Sequence, residues 1–144
     1  MSTEQNKAVV RRFVEEVLTS TDTSLADELL APNYVNHMVP GGREGFKQFR
    51  LMLGSAFPDL TMEIRIERLF AEGDYVMMRA SFRLSNGGEV ATGSGLGEYR
   101  VANGKIVEDW PLSGVVELLQ QIGHAAQRPI FHDFPVRQAI FTQS

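Results

Sequence analysis

The chain has 144 residues and 16.1 kDa, 43% of them hydrophobic and 22% charged, which is the size and make-up of one globular domain. With no cysteine, disulfide frameworks, thiolate metal sites and cysteine nucleophiles are excluded together. Fourteen Lys and Arg against eighteen Asp and Glu give a net charge of −4, and the scattered basic residues speak against a nucleic-acid partner.

Val10, Phe13, Val14, Val17 and Leu18 fall at helical spacing, with Glu15 and Glu16 on the far side, and predict a first helix. Ser24 and Asp27 resemble a capping box for a short second helix carrying Leu25, Leu29 and Leu30 and ended by Pro32. Residues Tyr34 to His37 read as extended. After the break at Pro40-Gly41-Gly42, Phe46, Phe49, Leu53 and Phe57 recur at helical spacing until Pro58.

The period then changes to two. Leu60, Met62, Ile64 and Ile66 alternate with polar residues, as do Val76, Met78, Ala80, Phe82 and Leu84 after a turn at Gly73-Asp74. Asn86-Gly87-Gly88 and Asn103-Gly104 are hairpin signals, placing a third strand from about Glu89 to Val101 and a fourth from Lys105 to about Pro111. The expected sheet is an antiparallel meander. Ser113 is the expected N-cap of a last helix with Val115, Val116, Leu118, Leu119 and Ile122, closed by Gly123. The remainder, 124–144, keeps Ile130, Phe131, Phe134, Val136, Ile140 and Phe141, and a tail so apolar is expected to pack on the domain or across a dimer contact.

Helices followed by hairpin-linked strands make an α+β class: N-terminal helices packed on a curved antiparallel sheet in a cone, whose open mouth is a small-molecule pocket. A single domain over 1–144 is expected, with its core in about 5–123. The polar start, Met1 to Lys7, and the absence of a window near the roughly 18 apolar residues of a membrane helix make the cytoplasm the expected location, with no membrane partner.

Nucleotide, phosphate-loop, serine-elbow and zinc-helix motifs are absent. Gly93-Ser94-Gly95-Leu96-Gly97 lies in a strand pattern, so its glycines signal curvature or a close approach; if Gly95 and Gly97 point inward they also leave empty volume. The strongest candidate site is Glu108-Asp109-Trp110-Pro111. Neighbouring strand carboxylates point to opposite faces, and an inward Asp109 among apolar neighbours acquires a raised pKa suited to proton transfer near neutral pH. A water-facing Asp109 is the alternative, and a one-residue bulge decides between them. Asn36 and His37, following Tyr34, form a second polar cluster able to orient a ligand carbonyl, or simply a solvated loop. Arg79 lies mid-strand on the polar face, a candidate substrate contact and equally a solvent- or dimer-facing charge. His124 and His132 have no ligand-spaced partner, so no metal is expected. Met52, Met62, Met77 and Met78 read as core filler.

In this order and spacing, Tyr34-Val35-Asn36-His37, Gly42-Arg43-Glu44-Gly45-Phe46, Phe57-Pro58-Asp59-Leu60, Gly73-Asp74, Asn103-Gly104-Lys105-Ile106, Glu108-Asp109-Trp110-Pro111 and Leu118-Leu119-Gln120-Gln121-Ile122-Gly123 resemble the SnoaL-like polyketide cyclase family, within the cone-shaped NTF2-like fold, over about residues 5 to 123. In the founding cyclases, the resemblance implies, a metal-free and cofactor-free intramolecular aldol condensation closes the last ring of an aromatic polyketide ester. It implies an acid/base aspartate in a D-W-P string, matched by Asp109-Trp110-Pro111, and a substrate-contacting asparagine after a tyrosine, matched by Asn36. Tyr34, His37, Trp110 and Arg79 complete the candidate substrate contacts. Two features depart from the pattern: the polar glutamine and histidine of those cyclases fall on Gly95 and Gly97, and the segment from Lys105-Ile106 to Asp109 is two residues shorter. A related aldol, isomerisation, hydration or epoxide-opening reaction therefore stays open. The expected protein is a homodimeric, cofactor-free enzyme acting on a hydrophobic carbonyl substrate. A non-catalytic binder of small apolar molecules and an assembly module built on the sheet face and tail are the alternatives.

Overall fold

The computed structural model describes residues 1–20 and 22–125. Ser2 opens the first helix, α1 (Thr3–Arg12): its Oγ accepts the Gln5 N–H at 3.1 Å and its own N–H donates to Gln5 Oε1 at 2.8 Å, a reciprocal cap. The helix widens into a π-helical stretch over Phe13–Leu18. Its stripe is the core the periodicity predicts: Val10, Phe13, Val14 and Val17 are all buried.

The second helix, α2 (Ala26–Leu29), lacks the expected capping box. Asp27 instead pairs with Lys47 and Arg43 of the next helix, and the Ser24 N–H donates to Asp22 Oδ1. Nor does Pro32 end it. The helix stops at Leu29 and β1 (Leu30–Asn36) carries Pro32 within it. Proline is tolerated there because β1 is an edge strand, and the ladder is irregular between Leu30 and Val35.

Helix α3 (Gly42–Ala56) follows a left-handed Gly41 and lays Phe46 and Leu53 into the core. Three antiparallel ladders then join β2 (Leu60–Glu72), β3 (Tyr75–Asn86), β4 (Glu89–Ala102) and β5 (Lys105–Trp110). Asn86 pairs with Glu89 across Gly87 and Gly88, both at positive φ, and Asn103-Gly104 makes the same kind of turn.

The meander is real for β2 to β5, but the sheet is not purely antiparallel. Strand β1 adds to β5 in parallel, giving a five-stranded mixed sheet in the order β1-β5-β4-β3-β2. The helices pack on its inner face. Helix α4 (Val115–Ala125) runs past Gly123 instead of ending on it; it starts one residue later than a Ser113 cap requires, and Ser113 Oγ accepts the Leu96 N–H. No described helix is long and apolar enough to cross a membrane. The apolar tail positions from Ile130 to Phe141 and His132 lie outside the described residues.

Candidate functional site

Asp109 reaches the interior through a bulge. The β4–β5 ladder pairs Tyr99 with Asp109, Arg100 with Glu108 and Val101 with Ile106, which leaves Val107 without a partner. Plain alternation from the core residue Ile106 would send Asp109, three positions on, to the outer face. The extra residue resets the parity, and Ile106 and Asp109 both point inward, at 0% and 3% exposure.

Edge strand β1 supplies the partners. Asn36 lies beside Asp109 in the parallel register, and the His37 N–H donates to the Asp109 carbonyl at 2.9 Å. Tyr34 Oη donates to Asp109 Oδ2 at 2.8 Å and accepts from Asn36 Nδ2 at 2.9 Å. Asn36 Oδ1 in turn accepts the N–H groups of Met38 and Val39, each at 2.8 Å, so the loop backbone orients the amide. Asp109 Oδ1 is buried and has no hydrogen-bond partner among the described residues.

Burial pushes the Asp109 carboxyl up to about 7, against the pull of the Tyr34 hydrogen bond. Burial, and then the neighbouring Asp109 charge, also raises the Tyr34 and Tyr99 phenols well above their ordinary range, so both stay protonated.

Asp109 opens onto a cavity of about 90 Å³, several times the roughly 10–15 Å³ that holds one water on the same measure. Its wall is apolar, drawn from Met38, Val39, Phe46, Phe49, Leu53, Met62, Ile64, Pro111 and Leu112 among others, and its polar groups are Asn36, Arg50, Tyr99 and Asp109. Gly95 and Gly97 do face inward, but they do not enlarge this space. The chain leading to α4 fills it: a Cβ on Gly95 would run into the Ser113 carbonyl oxygen, and one on Gly97 would touch the Leu112 backbone at 3.5 Å. Close approach is the reason for these glycines.

Not every candidate contact comes to the cavity. Tyr34 stands behind Asp109 rather than in the wall. His37 and Trp110 lie on the reverse of β5, stacked at 4.5 Å and 8°, with His37 Nε2 2.9 Å from Glu108 Oε2 and Arg100 Nε donating to Glu108 Oε1 at 2.7 Å. The bonds from His37 and Arg100 hold the Glu108 carboxyl below its ordinary range. Arg79 is exposed on the outer face of β3, between Arg68 and Leu96 of the neighbouring strands. Sequence reasoning missed Arg50 and Tyr99. Arg50 had a legible signal, a charge at the i+4 position of the apolar stripe Phe46, Phe49, Leu53 and Phe57. Among the described residues, no three acidic or histidine side chains converge as metal ligands.

The family model for SnoaL-like polyketide cyclases matches residues 8–122. The chain belongs to the SnoaL-like polyketide cyclase family. All the cavity residues, from Leu18 to Leu119, fall within the matched stretch. Among solved structures of the family, IdmH of Streptomyces antibioticus, described as a candidate polyketide cyclase, is 26% identical with a TM-score of 0.67 over 83% of this chain and 99% of that one. A candidate polyketide cyclase from Bacillus cereus is 26% identical with a TM-score of 0.69 over 85% of each chain. An epoxide hydrolase of the LEH-like type from M. tuberculosis, 18% identical with a TM-score of 0.64 over 87% of this chain and 93% of that one, shares the fold. No protein of curated function matches the sequence. The cone of this SnoaL-like protein is the NTF2-like arrangement of those structures.

Proposed function

We propose that this SnoaL-like protein is a cofactor-free acid/base enzyme in which Asp109 moves a proton on a hydrophobic, polyketide-like carbonyl substrate, in an intramolecular aldol cyclisation or a related isomerisation. The observation that carries this reading is a buried carboxyl in the lining of an apolar cavity, its Oδ1 unpartnered among the described residues and its pKa raised to about 7. A carboxyl tuned to that range is half ionised near neutral pH, able to take a proton and to return it.

In the aldol form, Asp109 Oδ1 takes the proton alpha to a carbonyl, and the electron pair spreads over the conjugated substrate as an enolate. The enolate carbon bonds to a second carbonyl carbon of the same molecule, and the oxygen formed there receives the proton back from Asp109. Tyr34 holds Oδ2 throughout, and Asn36 holds Tyr34. The apolar wall excludes water that would stabilise the resting carboxylate. The homology to family members described as candidate cyclases supports the reaction class. We propose further that copies pair through the outer sheet face, where Phe70, Tyr75 and Leu96 are 55%, 45% and 53% exposed.

Turnover of aromatic and aliphatic β-keto esters, enones and epoxides, together with members of each class that carry a free carboxylate, followed by mass spectrometry, tests the reading. Wild type converts at least one member, and Asp109→Asn, folded to the same extent, is slower by about 10²–10⁴-fold. Equal conversion by the two variants removes Asp109 from the mechanism and leaves a binding protein.

A further inference from the structure

Proton transfer at Asp109 leaves Arg50 unused. Its place on the apolar face of α3 puts a guanidinium in the cavity wall. Nη2 donates to the Ser20 carbonyl at 2.5 Å, while Nε is buried without a partner. Arg11, Arg12, Arg43 and Arg100 all meet carboxylates, but none lies within ion-pair distance of Arg50 among the described residues. Burial alone acts on its ionisation, and lowers its pKa. A guanidinium nonetheless stays charged in a protein, so among the described residues this half-buried side chain is a cation with an unpartnered Nε and no counter-charge.

Its position is equally informative. Arg50, Leu53 and Met62 line both the Asp109 cavity and a smaller adjoining one, of about 70 Å³, bounded by Thr19, Phe57 and Leu60. The influences on the Asp109 carboxyl are burial and Tyr34, with no contribution from Arg50. Both residues line the cavity, and among the described residues no hydrogen bond or ion pair joins them.

We propose that Arg50 is a specificity-determining residue that receives a carboxylate on the substrate, whose apolar body lies between Arg50 and the reacting end at Asp109. The substrate is then a free acid rather than a neutral ester. The proposal rests on the acid/base reading for its reacting end, but it is tested by affinity and not by turnover. An apolar body carrying a carboxylate matches the apolar wall and the charge of Arg50, and a charge-assisted, two-point bond to the guanidinium supplies the discrimination.

The probes are trans-cinnamate and its neutral isostere trans-cinnamamide, followed by calorimetry. Wild type is expected to bind cinnamate at least about tenfold more tightly than the amide. Arg50→Gln retains a donor for the Ser20 carbonyl and brings the two within about twofold by losing cinnamate alone. Arg50→Lys retains the preference for the acid. In unmodified protein, the Arg50 Nε–H resonance moves on adding cinnamate and not on adding cinnamamide, a readout that needs no folded variant. Equal affinity of wild type for the two probes, no binding of either, or an unchanged preference in Arg50→Gln would each overturn the proposal and make Arg50 a brace for the Ser20 carbonyl. Failure of the Asp109 reading has a different signature: Asp109→Asn turns over normally while the preference for cinnamate is intact.

Discussion

Two opposed influences meet at Asp109: an apolar surround that disfavours its anion and a Tyr34 hydroxyl that favours it. In the proposed role of general base it works ionised, so kcat/KM is expected to rise with pH through about 7 and level off above it. In Tyr34→Phe the opposing hydrogen bond is gone, and the midpoint of that pH profile is expected to move upward. The same change leaves Asn36 Nδ2 without its acceptor, a loss of about 1–3 kcal/mol in stability, read by urea titration. Linkage has a definite sign here. A carboxyl at about 7 when folded and near 3.8 when unfolded stabilises the folded state fully below pH 4, and that contribution is lost as pH rises to 7. The size of the effect is on the order of 4 kcal/mol. Asp109→Asn is therefore expected to be less pH-dependent between pH 5 and 8 than wild type, and more stable than it at pH 8, by the same titration.

At the scale of elements, β5 delivers Asp109 and β4 makes room for the chain beyond it. Gly95→Ala is expected to cost about 1–3 kcal/mol, since its Cβ would press on the Ser113 backbone; thermal unfolding reads this, and the adjoining Leu112 in the cavity wall links it to a loss of activity. Most elements were legible because their burial follows simple periods, as in the Val10–Val17 stripe and the alternation of β2 and β3. Asp109 was legible as a candidate and not in its direction, which depends on an unpaired Val107 that no local propensity marks. The pairing of β1 with β5 was hidden because it joins residues more than seventy positions apart, and Pro32 argues locally against a strand. Arg50 broke the apolar stripe of α3 in plain sight, yet only the assembled cone shows that the break faces a cavity.

Across the whole molecule, the sheet separates two environments, an enclosed acid on one side and, on the other, an outer face where exposed apolar side chains stand among charged ones. That surface runs through Phe70, Met77, Glu98 and Trp110, which are register neighbours on β2, β3, β4 and β5. Sedimentation equilibrium is expected to show a dimer, and Leu96→Glu, a charge placed in this face, is expected to give a monomer with Asp109 undisturbed; a monomeric wild type would refute the pairing. The bonds around Tyr34 have a consequence of another kind. Its one hydroxyl hydrogen is committed to Oδ2 of Asp109 while its lone pair is occupied by an amide that the backbone holds in one orientation. The carboxyl group cannot spin, so the same oxygen meets every molecule from the same side. Under the proposed mechanism proton removal has a handedness: in deuterium oxide, label is expected to enter a prochiral methylene of a bound ketone at one of its two mirror-related positions, making the molecule a chiral reagent even where its product keeps no stereocentre.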